Sequence, residues 1–513
     1  MRRKLTFQPT NPGFLISPRH HNASLSPGFR SKCQMDTVRH THNGPRQQAD
    51  APFSSGAGSG PTRPYATTNP PAAPLTAHSP PPPLSIFPLS KILRSLCVTT
   101  ISSSPILFTP SLTILSIVAG SKSPLLSPDH NPILKTILRQ TLYAQFCAGE
   151  TPAEVKVSIN SLKKLGFRGV ILGYAKEIVM DEKEIESLGQ EASANDEKSL
   201  AAAHADISAW KQGTLATVDL ADAGDFVAIK FTGAGKGSLR QLVHRQPPLA
   251  ALERGMVEIC ERAKARNVRL LIDAEQQAFQ PAIDDWTLEF QRRYNKGPRA
   301  VVYGTYQAYL RSTPGTLRGH MAVAAAEGFS LGVKLVRGAY LGTEARELIW
   351  DRKEETDKAY DDIAEALIRR RYGGVLKADL SGTSQFPTVD LVLASHNRVS
   401  VQRALAIRNE QMRAGSPRIE MAYGQLSGMA DDVSCELVQR GKLARERNGA
   451  DGMELELEVP KAYKYLVWGT VGECTRYLLR RAEENRDAAS RTEETRRAMG
   501  RELWRRVRGG FYG

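Results

Sequence analysis

The sequence predicts an α/β protein folded as a (β/α)8 barrel, with extra helices and a disordered leader ahead of it. Eight short apolar runs recur along the chain, and segments with the apolar spacing of amphipathic helices separate them. Parallel strands need crossover connections, usually helices, so this alternation is the signature of a closed barrel. An open doubly wound sheet is the alternative fold, but no run is followed by a dinucleotide-binding fingerprint. The strands are predicted at 167–174, 226–232, 269–273, 300–303, 332–336, 389–394, 419–422 and 463–467, and the helices between them at 249–266, 284–294, 317–327, 353–371 and 399–412.

The first 85 residues differ from the rest in composition and charge. They are rich in Pro, Ser, Asn and Thr with almost no periodic apolar pattern, so we expect residues 1–85 to be disordered. Residues 1–128 carry twelve Lys or Arg against two acids, Asp36 and Asp50, and thus +10 of the formal net charge of +15. This basic, Ser-rich N-terminus resembles a mitochondrial transit peptide, and a basic arm that contacts nucleic acid is the alternative. The nearly neutral remainder argues against a nucleic-acid-binding body.

Residues 86–165 are predicted to form an N-terminal helical segment. No charged residue occurs in 95–121, which would suggest a membrane span, but Pro105, Pro110 and many Ser and Thr residues dilute its apolar character. We therefore interpret 95–121 as an amphipathic or buried pair of helices, with contact to a membrane surface as the alternative. The helices predicted after it cover 134–146 and 151–165, the second opening at the capping box Thr151–Glu154.

The barrel is assigned to residues 166–490, followed by a basic tail at 491–513. Two polar segments, 373–387 and 437–458, are interpreted as irregular insertions on its rim. The tail is interpreted as a solvated helix end, with an approach to anionic lipid as the alternative. The six cysteines are widely scattered without metal-ligand spacing, so we expect free thiols and no metal site.

Polar residues follow seven of the predicted strands. The carboxyl ends of barrel strands meet at one mouth, where functional residues lie. A lone Lys or His at a strand end is more often structural than catalytic, but polar groups at so many strand ends together indicate a site. The candidates are Lys230, Asp273, Glu275, Tyr306, Gln307, Tyr309, Lys334, Arg337, Tyr340, Ser395, His396, Asn397, Tyr423, Gln425, Leu426 and Tyr465.

A helix near the C-terminus carries the other candidates. Tyr477, Arg480, Arg481 and Glu484 are spaced three, four and seven residues apart, which places them along one helix face. Two adjacent guanidinium groups suit a small carboxylate or phosphate. A solvated face with weak ion pairs is the alternative, but the seven polar strand ends favour a lid over the mouth. On that interpretation only the Ala482 and Glu483 side of the helix is exposed.

At these positions the chain resembles the proline dehydrogenase family. The resemblance covers roughly residues 140–490, and segments 143–150 and 167–176 are similar to those of mitochondrial fungal members. It implies a distorted (β/α)8 TIM-like barrel with non-covalent FAD at its mouth, oxidation of L-proline to Δ1-pyrroline-5-carboxylate, and electron transfer to a membrane quinone. It also implies peripheral contact with the matrix side of the mitochondrial inner membrane. The segments that carry it are 271–281, 306–309, 334–340, 394–397, 423–429 and 477–485.

The resemblance also implies roles for individual residues. Arg480 and Arg481 bind the proline carboxylate, and Tyr465 and Tyr477 wall the pyrrolidine ring. Lys334 stands where some bacterial members have Arg, so the bidentate geometry of a guanidinium is lost there. The residues expected around proline are Lys230, Asp273, Leu426, Tyr465, Tyr477, Arg480, Arg481 and Glu484. The expected FAD contacts are Gln307, Lys334, Val336, Gly338, Ala339, Tyr340, His396 and Asn397.

Three other functions are compatible with the sequence. Hydroxyproline oxidation would use the same machinery, although Tyr465 fills the space that a ring hydroxyl needs. A barrel lyase or aldolase would use Lys230 or Lys334 as a Schiff-base amine. A catalytically idle scaffold or membrane adaptor is the third. No residue stands out as the base that removes the imino proton of proline.

Overall fold

The structure is a computed structural model, and it describes residues 82–121, 123–190, 197–378, 385–448, 457–487 and 489–510. Almost all of the expected leader, residues 1–85, lies outside the described residues. Its disorder and its transit function therefore stay predictions.

Eight parallel strands close into a barrel in chain order, with the first strand paired to both the second and the eighth. All eight predicted strands are confirmed, and the doubly wound alternative is wrong. The fourth and seventh strands run further than predicted, to Gln307 and Leu426, because their polar tips remain in the hydrogen-bonded ladder. The strands are β1 Gly169–Tyr174, β2 Phe226–Ile229, β3 Arg269–Ile272, β4 Val302–Gln307, β5 Leu331–Val336, β6 Val389–Ala394, β7 Met421–Leu426 and β8 Ala462–Trp468.

Side chains fill the barrel and helices cover it, so nearly every strand residue is buried. We call the end where the strands begin the base and the end where they finish the mouth. At the base, the Phe226 ring packs edge-on against Tyr303 and Tyr463, with centroids 5.6 and 5.1 Å apart. This aromatic cluster seals the base from the inside of the barrel.

The helices predicted between the strands are confirmed. At the first helix of the barrel wall, Thr151 caps the N-terminus by accepting a hydrogen bond from the Glu154 N–H. The Glu154 carboxylate reaches back to the Glu150 N–H, one residue before the expected partner. The helices are α1 Leu89–Ser103, α2 Pro105–Gly120, α3 Pro132–Leu138, α4 Ala144–Phe146, α5 Pro152–Lys164, α6 Glu182–Gln190, α7 Glu197–Leu220, α8 Lys236–Val243, α9 Ala250–Ala265, α10 Gln280–Tyr294, α11 Thr313–Glu327, α12 Lys353–Arg369, α13 Arg398–Arg413, α14 Asp431–Asn448, α15 Val471–Asp487 and α16 Ala489–Gly510.

Two helices between β1 and β2, α6 and α7, and the helix α8 that follows β2 were not predicted, and one predicted insertion is wrong. Most of segment 437–458 that the structure describes belongs to α14, which buries Leu437 and Val438 and exposes Arg440 and Lys442. Its length and sparse apolar residues made this helix look like a loop. The described part of 373–387 contains a short bridge between Gly373 and Leu376.

The predicted solvated tail is also wrong. Helix α16 packs against α1 and buries Met499 completely. The Arg506 guanidinium donates to the backbone carbonyls of Leu84, Ser85 and Phe87. The end of the chain is therefore fastened to the start of the described region.

The predicted helix pair at 95–121 is confirmed as α1 and α2. Neither of them, nor any other described helix, is long and apolar enough to cross a membrane alone. Only together are Leu89–Ser103 and Ile106–Gly120 long and apolar enough to span a membrane, and the pair is bent by 96° at the junction.

Candidate active site

A buried carboxylate, Asp273, is the centre of a charged cluster at the mouth. It follows β3, and its oxygens lie 2.7 Å from the Lys230 Nζ after β2 and 2.5 Å from the Lys334 Nζ on β5. The Tyr465 Oη on β8 donates to Asp273 over 2.9 Å and accepts from Lys230 over 3.2 Å. Four strand positions predicted separately from the sequence thus meet at one point.

The cluster fixes the protonation of its members. Burial alone would raise the pKa of Asp273, but Lys230 and Lys334 outweigh it and hold that pKa well below its usual value. Burial lowers the pKa of Lys230, yet Asp273, Tyr465 and Glu177 raise it well above its usual value. Lys230 therefore keeps its proton. A Schiff base needs a neutral amine, so this geometry disfavours the lyase alternative at Lys230.

A residue that the sequence prediction missed, Glu177, joins this cluster to α15. Its carboxylate lies 2.9 Å from one terminal nitrogen of Arg480 and accepts a hydrogen bond of 3.1 Å from the other. Glu177 Oε2 also lies 3.6 Å from the Lys230 Nζ. Burial raises the pKa of Glu177, but Arg480, Lys230 and Arg481 outweigh it and lower the pKa below its usual value. Glu177 lies three residues after the end of β1, so no direct change from apolar to polar residues marks it in the sequence.

The other described residues of the α15 face also point inward. Tyr477 and Arg481 are buried, and the Arg481 guanidinium carbon lies 5.2 Å from the centre of the Tyr477 ring. The Arg480 guanidinium carbon lies 5.6 Å from the Tyr340 ring. Ala482, expected on the exposed side, packs against the core instead. The Glu484 side chain lies outside what the structure describes, so its role stays a prediction.

Four cationic and two anionic side chains described by the structure lie together at the mouth. Lys230, Lys334, Arg480 and Arg481 contribute four positive charges, whereas Asp273 and Glu177 contribute two negative ones. A third acid near them is Glu275, and burial raises the pKa of its carboxyl to about 7. Cations held in a site of low exposure interact strongly with a small anion.

Several of the expected FAD residues form the opposite wall of the mouth. The Gln307 Oε1 accepts the Ala339 N–H over 3.2 Å, and its Nε2 donates to the Glu275 carbonyl over 3.4 Å. Gly338 approaches Tyr309 so closely that a Cβ there would lie 2.5 Å from ring carbons. The loop from Val336 to Tyr340 is therefore fixed in place, with Gly338 and Ala339 exposed at the mouth.

His396 and Asn397 use part of their hydrogen-bonding capacity within the protein. The His396 Nε2 accepts the Leu426 N–H over 3.1 Å, so the proton of a neutral ring is on Nδ1. The Asn397 Oδ1 caps α13 by accepting from the Val399 and Ser400 N–H groups. Asn397 thus has a structural role that the sequence prediction did not include, and a cofactor contact would fall to its amide nitrogen.

The chain is similar to several known proteins. The family model for proline dehydrogenase matches residues 155–494. The chain is 30% identical over 410 residues to the probable mitochondrial proline dehydrogenase of Schizosaccharomyces pombe. This match covers 72% of this chain and 80% of that protein. It is 29% identical over 422 residues to the hydroxyproline dehydrogenase of Mus musculus, covering 73% of this chain and 83% of that protein.

Two further comparisons cover less of the matched protein. Proline dehydrogenase 1, mitochondrial, of Caenorhabditis elegans is 34% identical over 293 residues, covering 54% of this chain and 42% of that protein. The structure of proline utilization A from Bdellovibrio bacteriovorus matches with a TM-score of 0.53 at 15% identity, covering 78% of this chain and 41% of that one. The structural likeness supports the barrel fold alone.

Proposed function

The chain belongs to the proline dehydrogenase family, and on that premise we propose that it oxidises L-proline to Δ1-pyrroline-5-carboxylate, with FAD as cofactor and a membrane quinone as electron acceptor. The observation that carries the proposal is the joining of Arg480 to the Asp273 cluster through Glu177, beside Arg481. This arrangement offers a carboxylate clamp next to a rigid, water-poor floor. Together they suit a small amino acid that must be held in one orientation.

The clamp binds the proline carboxylate through Arg481 and Arg480. Arg481 is buried, so a carboxylate that reaches it forms charge-assisted hydrogen bonds with little competition from water. Arg480 is paired with Glu177, and an incoming carboxylate must share or displace that pair. The two neighbouring guanidinium groups therefore hold the carboxylate together.

The residues at the mouth fit a flavin. Its pyrimidine edge is rich in acceptor atoms, and the Lys334 ammonium on β5 and the Nδ1–H of a neutral His396 ring after β6 are donors on neighbouring strands. Gln307, Tyr340 and the exposed loop at Gly338 and Ala339 would hold the rest. Bound FAD supplies a hydride acceptor for C5 of proline. The protein positions C5 and fixes the charge around it, while solvent removes the imino proton.

Hydroxyproline oxidation is the second candidate, because relatives with that name match over 73% of this chain. The Tyr465 ring disfavours it. Its Oη is held by both Asp273 and Lys230, so the ring cannot swing aside to admit a ring hydroxyl. Turnover of the two substrates should therefore favour proline. Faster oxidation of hydroxyproline would reverse the assignment.

The bound flavin provides the main test. Purified protein should be yellow, and proline added without oxygen should bleach its visible absorption. Arg481→Met is the informative variant, and Arg476→Met, an exposed arginine on the same helix, is its matched control. A colourless protein that stays inert after FAD is supplied would overturn the proposal, whereas flavin that proline does not bleach would refute the substrate alone.

We propose a mitochondrial location with peripheral contact to the inner membrane on its matrix side, because similar relatives are named mitochondrial. Helix α2 supports the contact. It packs against α15 and exposes Ile106, Ile114 and Ile117, and no charge occurs between Arg94 and Lys122. Lipid is the occupant that such a surface suits.

Vesicle binding tests this surface. Ile106→Asp combined with Ile114→Asp should lower sedimentation with anionic vesicles and slow reduction of a vesicle-borne quinone, while proline still bleaches the flavin. Leu200→Asp, an exposed leucine on α7, is the matched control. Unchanged vesicle binding by the double variant would place the membrane contact elsewhere.

We propose that the folded domain begins near residue 82 rather than 86. The Gln439 Nε2 donates to the Pro82 carbonyl over 2.9 Å and to the Ser85 Oγ over 3.0 Å. Leu84 is buried as well. Deletion of residues 1–81 should leave an active, flavin-binding protein with an unchanged melting temperature. Deletion of residues 1–88 should lower that temperature by several degrees, and equal behaviour of both would refute the boundary.

A further inference from the structure

A second site candidate lies at the base of the barrel, far from the Asp273 cluster. A cavity of about 270 Å³ opens there. Its lining residues come from the segments that lead into six different strands. Because parallel strands all begin at the same end, these segments converge at the base as the strand tips converge at the mouth. Those used in the argument are Arg168, Lys264, Arg269, Arg299, Glu420 and Lys461.

The floor of the cavity is rigid. The Arg269 guanidinium carbon lies 3.8 Å from the centre of the Phe226 ring. Its Nη2 donates to the Tyr463 Oη over 3.0 Å and to the Gly224 carbonyl over 2.7 Å. Arg269 is thus held in one orientation by the aromatic cluster that seals the base, with its terminal Nη1 directed toward Glu420 at 3.5 Å.

The cavity carries a large excess of positive charge. Its lining contains five cations and one carboxylate, Glu420. Both Glu420 oxygens accept from the Lys461 Nζ, over 2.7 and 2.8 Å. Within the described parts of the chain, no carboxylate lies within 4.0 Å of the side-chain nitrogens of Arg168, Lys264 or Arg299. Clustered like charges destabilise a fold unless a counter-ion compensates them.

We propose that this cavity binds a small polyanion that carries phosphate groups, such as pyrophosphate or the diphosphate of a nucleotide. Guanidinium groups match phosphate oxygens with paired hydrogen bonds, and three of the five cations are arginines. The excess of four positive charges matches a diphosphate better than a monocarboxylate. The volume falls just below the roughly 300 Å³ at which pockets for larger ligands begin, which favours a compact anion.

The same chemistry has two sources, a free phosphate compound or the headgroup of an anionic phospholipid. Both would place phosphate oxygens between Arg269 at the floor and Arg168 and Arg299 at the rim. A free anion enters the cavity alone, whereas a lipid headgroup does so only at a membrane surface. The two sources can therefore be separated by presenting the phosphate in solution or on vesicles.

The test is a titration of the full-length, FAD-loaded protein with pyrophosphate, followed by calorimetry and by the melting temperature. The double variant Arg168→Gln/Arg299→Gln should bind at least roughly tenfold more weakly, since it removes two charges from the rim. The matched control is Arg254→Gln/Arg501→Gln, which removes two exposed arginines from elsewhere. Both arginines of the test variant are exposed, so folding should be retained, and flavin content checks this.

A second variant works in the opposite direction. Glu420→Gln removes the lone carboxylate of the lining and should tighten pyrophosphate binding several-fold. Equal pyrophosphate affinity in the test and control doubles, or no saturable binding in millimolar pyrophosphate together with no effect of the test double on binding to vesicles of anionic phospholipid, would overturn the proposal. Binding only to such vesicles, lost in the test double alone, would support it with lipid as the source.

Discussion

The two ends of the barrel are built from the same kinds of side chain but treat charge in opposite ways. At the mouth, an acid is the centre: Asp273 is buried between Lys230 and Lys334, and each of its oxygens has a short contact with a cation. At the base, a cation is the centre: Arg269 is stacked on Phe226, and its acid partner is 3.5 Å away.

The central acid at the mouth and the central cation at the base suit the two ends to different functions. A buried acid with two fixed cations keeps its geometry when substrate enters, because breaking the cluster would leave unpaired charges buried away from water. Such an end suits the orientation of a reacting molecule. Exposed cations with a single acid beside them destabilise the folded protein only slightly, because water screens their charges. Binding of an anion then stabilises the folded protein. The mouth therefore suits catalysis and the base suits recruitment.

The largest expected effect that tests this contrast is the loss of Asp273. Asp273→Ala leaves the ammonium groups of Lys230 and Lys334 buried without their carboxylate, so the free energy of unfolding should fall by about 3–5 kcal/mol and proline oxidation should be lost. Glu420→Ala should lower the free energy of unfolding by about 1 kcal/mol or less, because its partner Lys461 is partly exposed. Urea unfolding of both variants is the measurement. Similar losses at the two ends would contradict the contrast.

The next effect concerns the clamp. Arg481→Met removes one charge-assisted partner of the substrate carboxylate, worth about 1.5–3 kcal/mol, and should raise the KM for proline roughly 10- to 100-fold. Flavin content should not change. Steady-state kinetics measure the effect, and Arg476→Met should match the unaltered protein. Retained proline affinity in Arg481→Met would refute the clamp.

The sequence predicted this contrast only in part. The end of a strand can be recognised in the sequence where a polar residue directly follows an apolar run, as at Lys230 and Asp273. Glu177 lies three residues after the end of β1, so the same rule does not single it out. The rule also misses the cavity at the base, because its cations lie before the strands, in segments that are ordinarily polar.

Long-range pairing set a second limit on what the sequence could predict. Lys464 on β8 and Asp431 at the start of α14 form a fully buried ion pair, and nothing in the spacing of the two residues relates them. Segment 437–458 was predicted to be irregular for a similar reason. Its helix is stabilised by burying a few apolar side chains against the barrel, which periodicity within the segment reveals only weakly.

The pH dependence of stability should also differ between the ends. Burial raises the pKa of Glu275, near the mouth, to about 7 and that of Asp390, at the base, to about 6. For each, the stability present below the unfolded pKa is lost as the pH rises through the folded one. Glu275→Gln should therefore remove a loss of stability on the order of 3 kcal/mol between pH 4.5 and 7. Asp390→Asn should remove a loss of stability that, in the unaltered protein, ends near pH 6.

Unfolding by urea at a series of pH values separates the two carboxyl groups. Between pH 6 and 7 the stability of the Asp390→Asn variant should fall more steeply than that of the Glu275→Gln variant. Burial also raises the pKa of Asp284 to about 7, and this carboxyl contributes the same slope to both variants. Identical slopes for the two variants in this window would show that the ends do not differ in how they bury their acids.

The smallest expected effect compares Tyr463 with Tyr465, two residues apart on β8. Each hydroxyl makes two hydrogen bonds, Tyr463 with Arg269 and the Gly224 carbonyl, and Tyr465 with Asp273 and Lys230. Replacing either with Phe should lower the free energy of unfolding by about 1 kcal/mol. Their functional effects should be opposite. Tyr465→Phe should reduce kcat/KM for proline by up to about tenfold and leave pyrophosphate binding intact, because it loosens the cluster at the mouth.

Tyr463→Phe should leave kcat/KM within about twofold and weaken pyrophosphate binding a few-fold, because Arg269 loses one of the bonds that orient it. The two variants are matched in chemistry, strand and burial, so each serves as the control for the other. If Tyr463→Phe impaired proline turnover as much as Tyr465→Phe, the aromatic cluster at the base would be coupled to the mouth through β8, and the two ends could not be treated as separate sites.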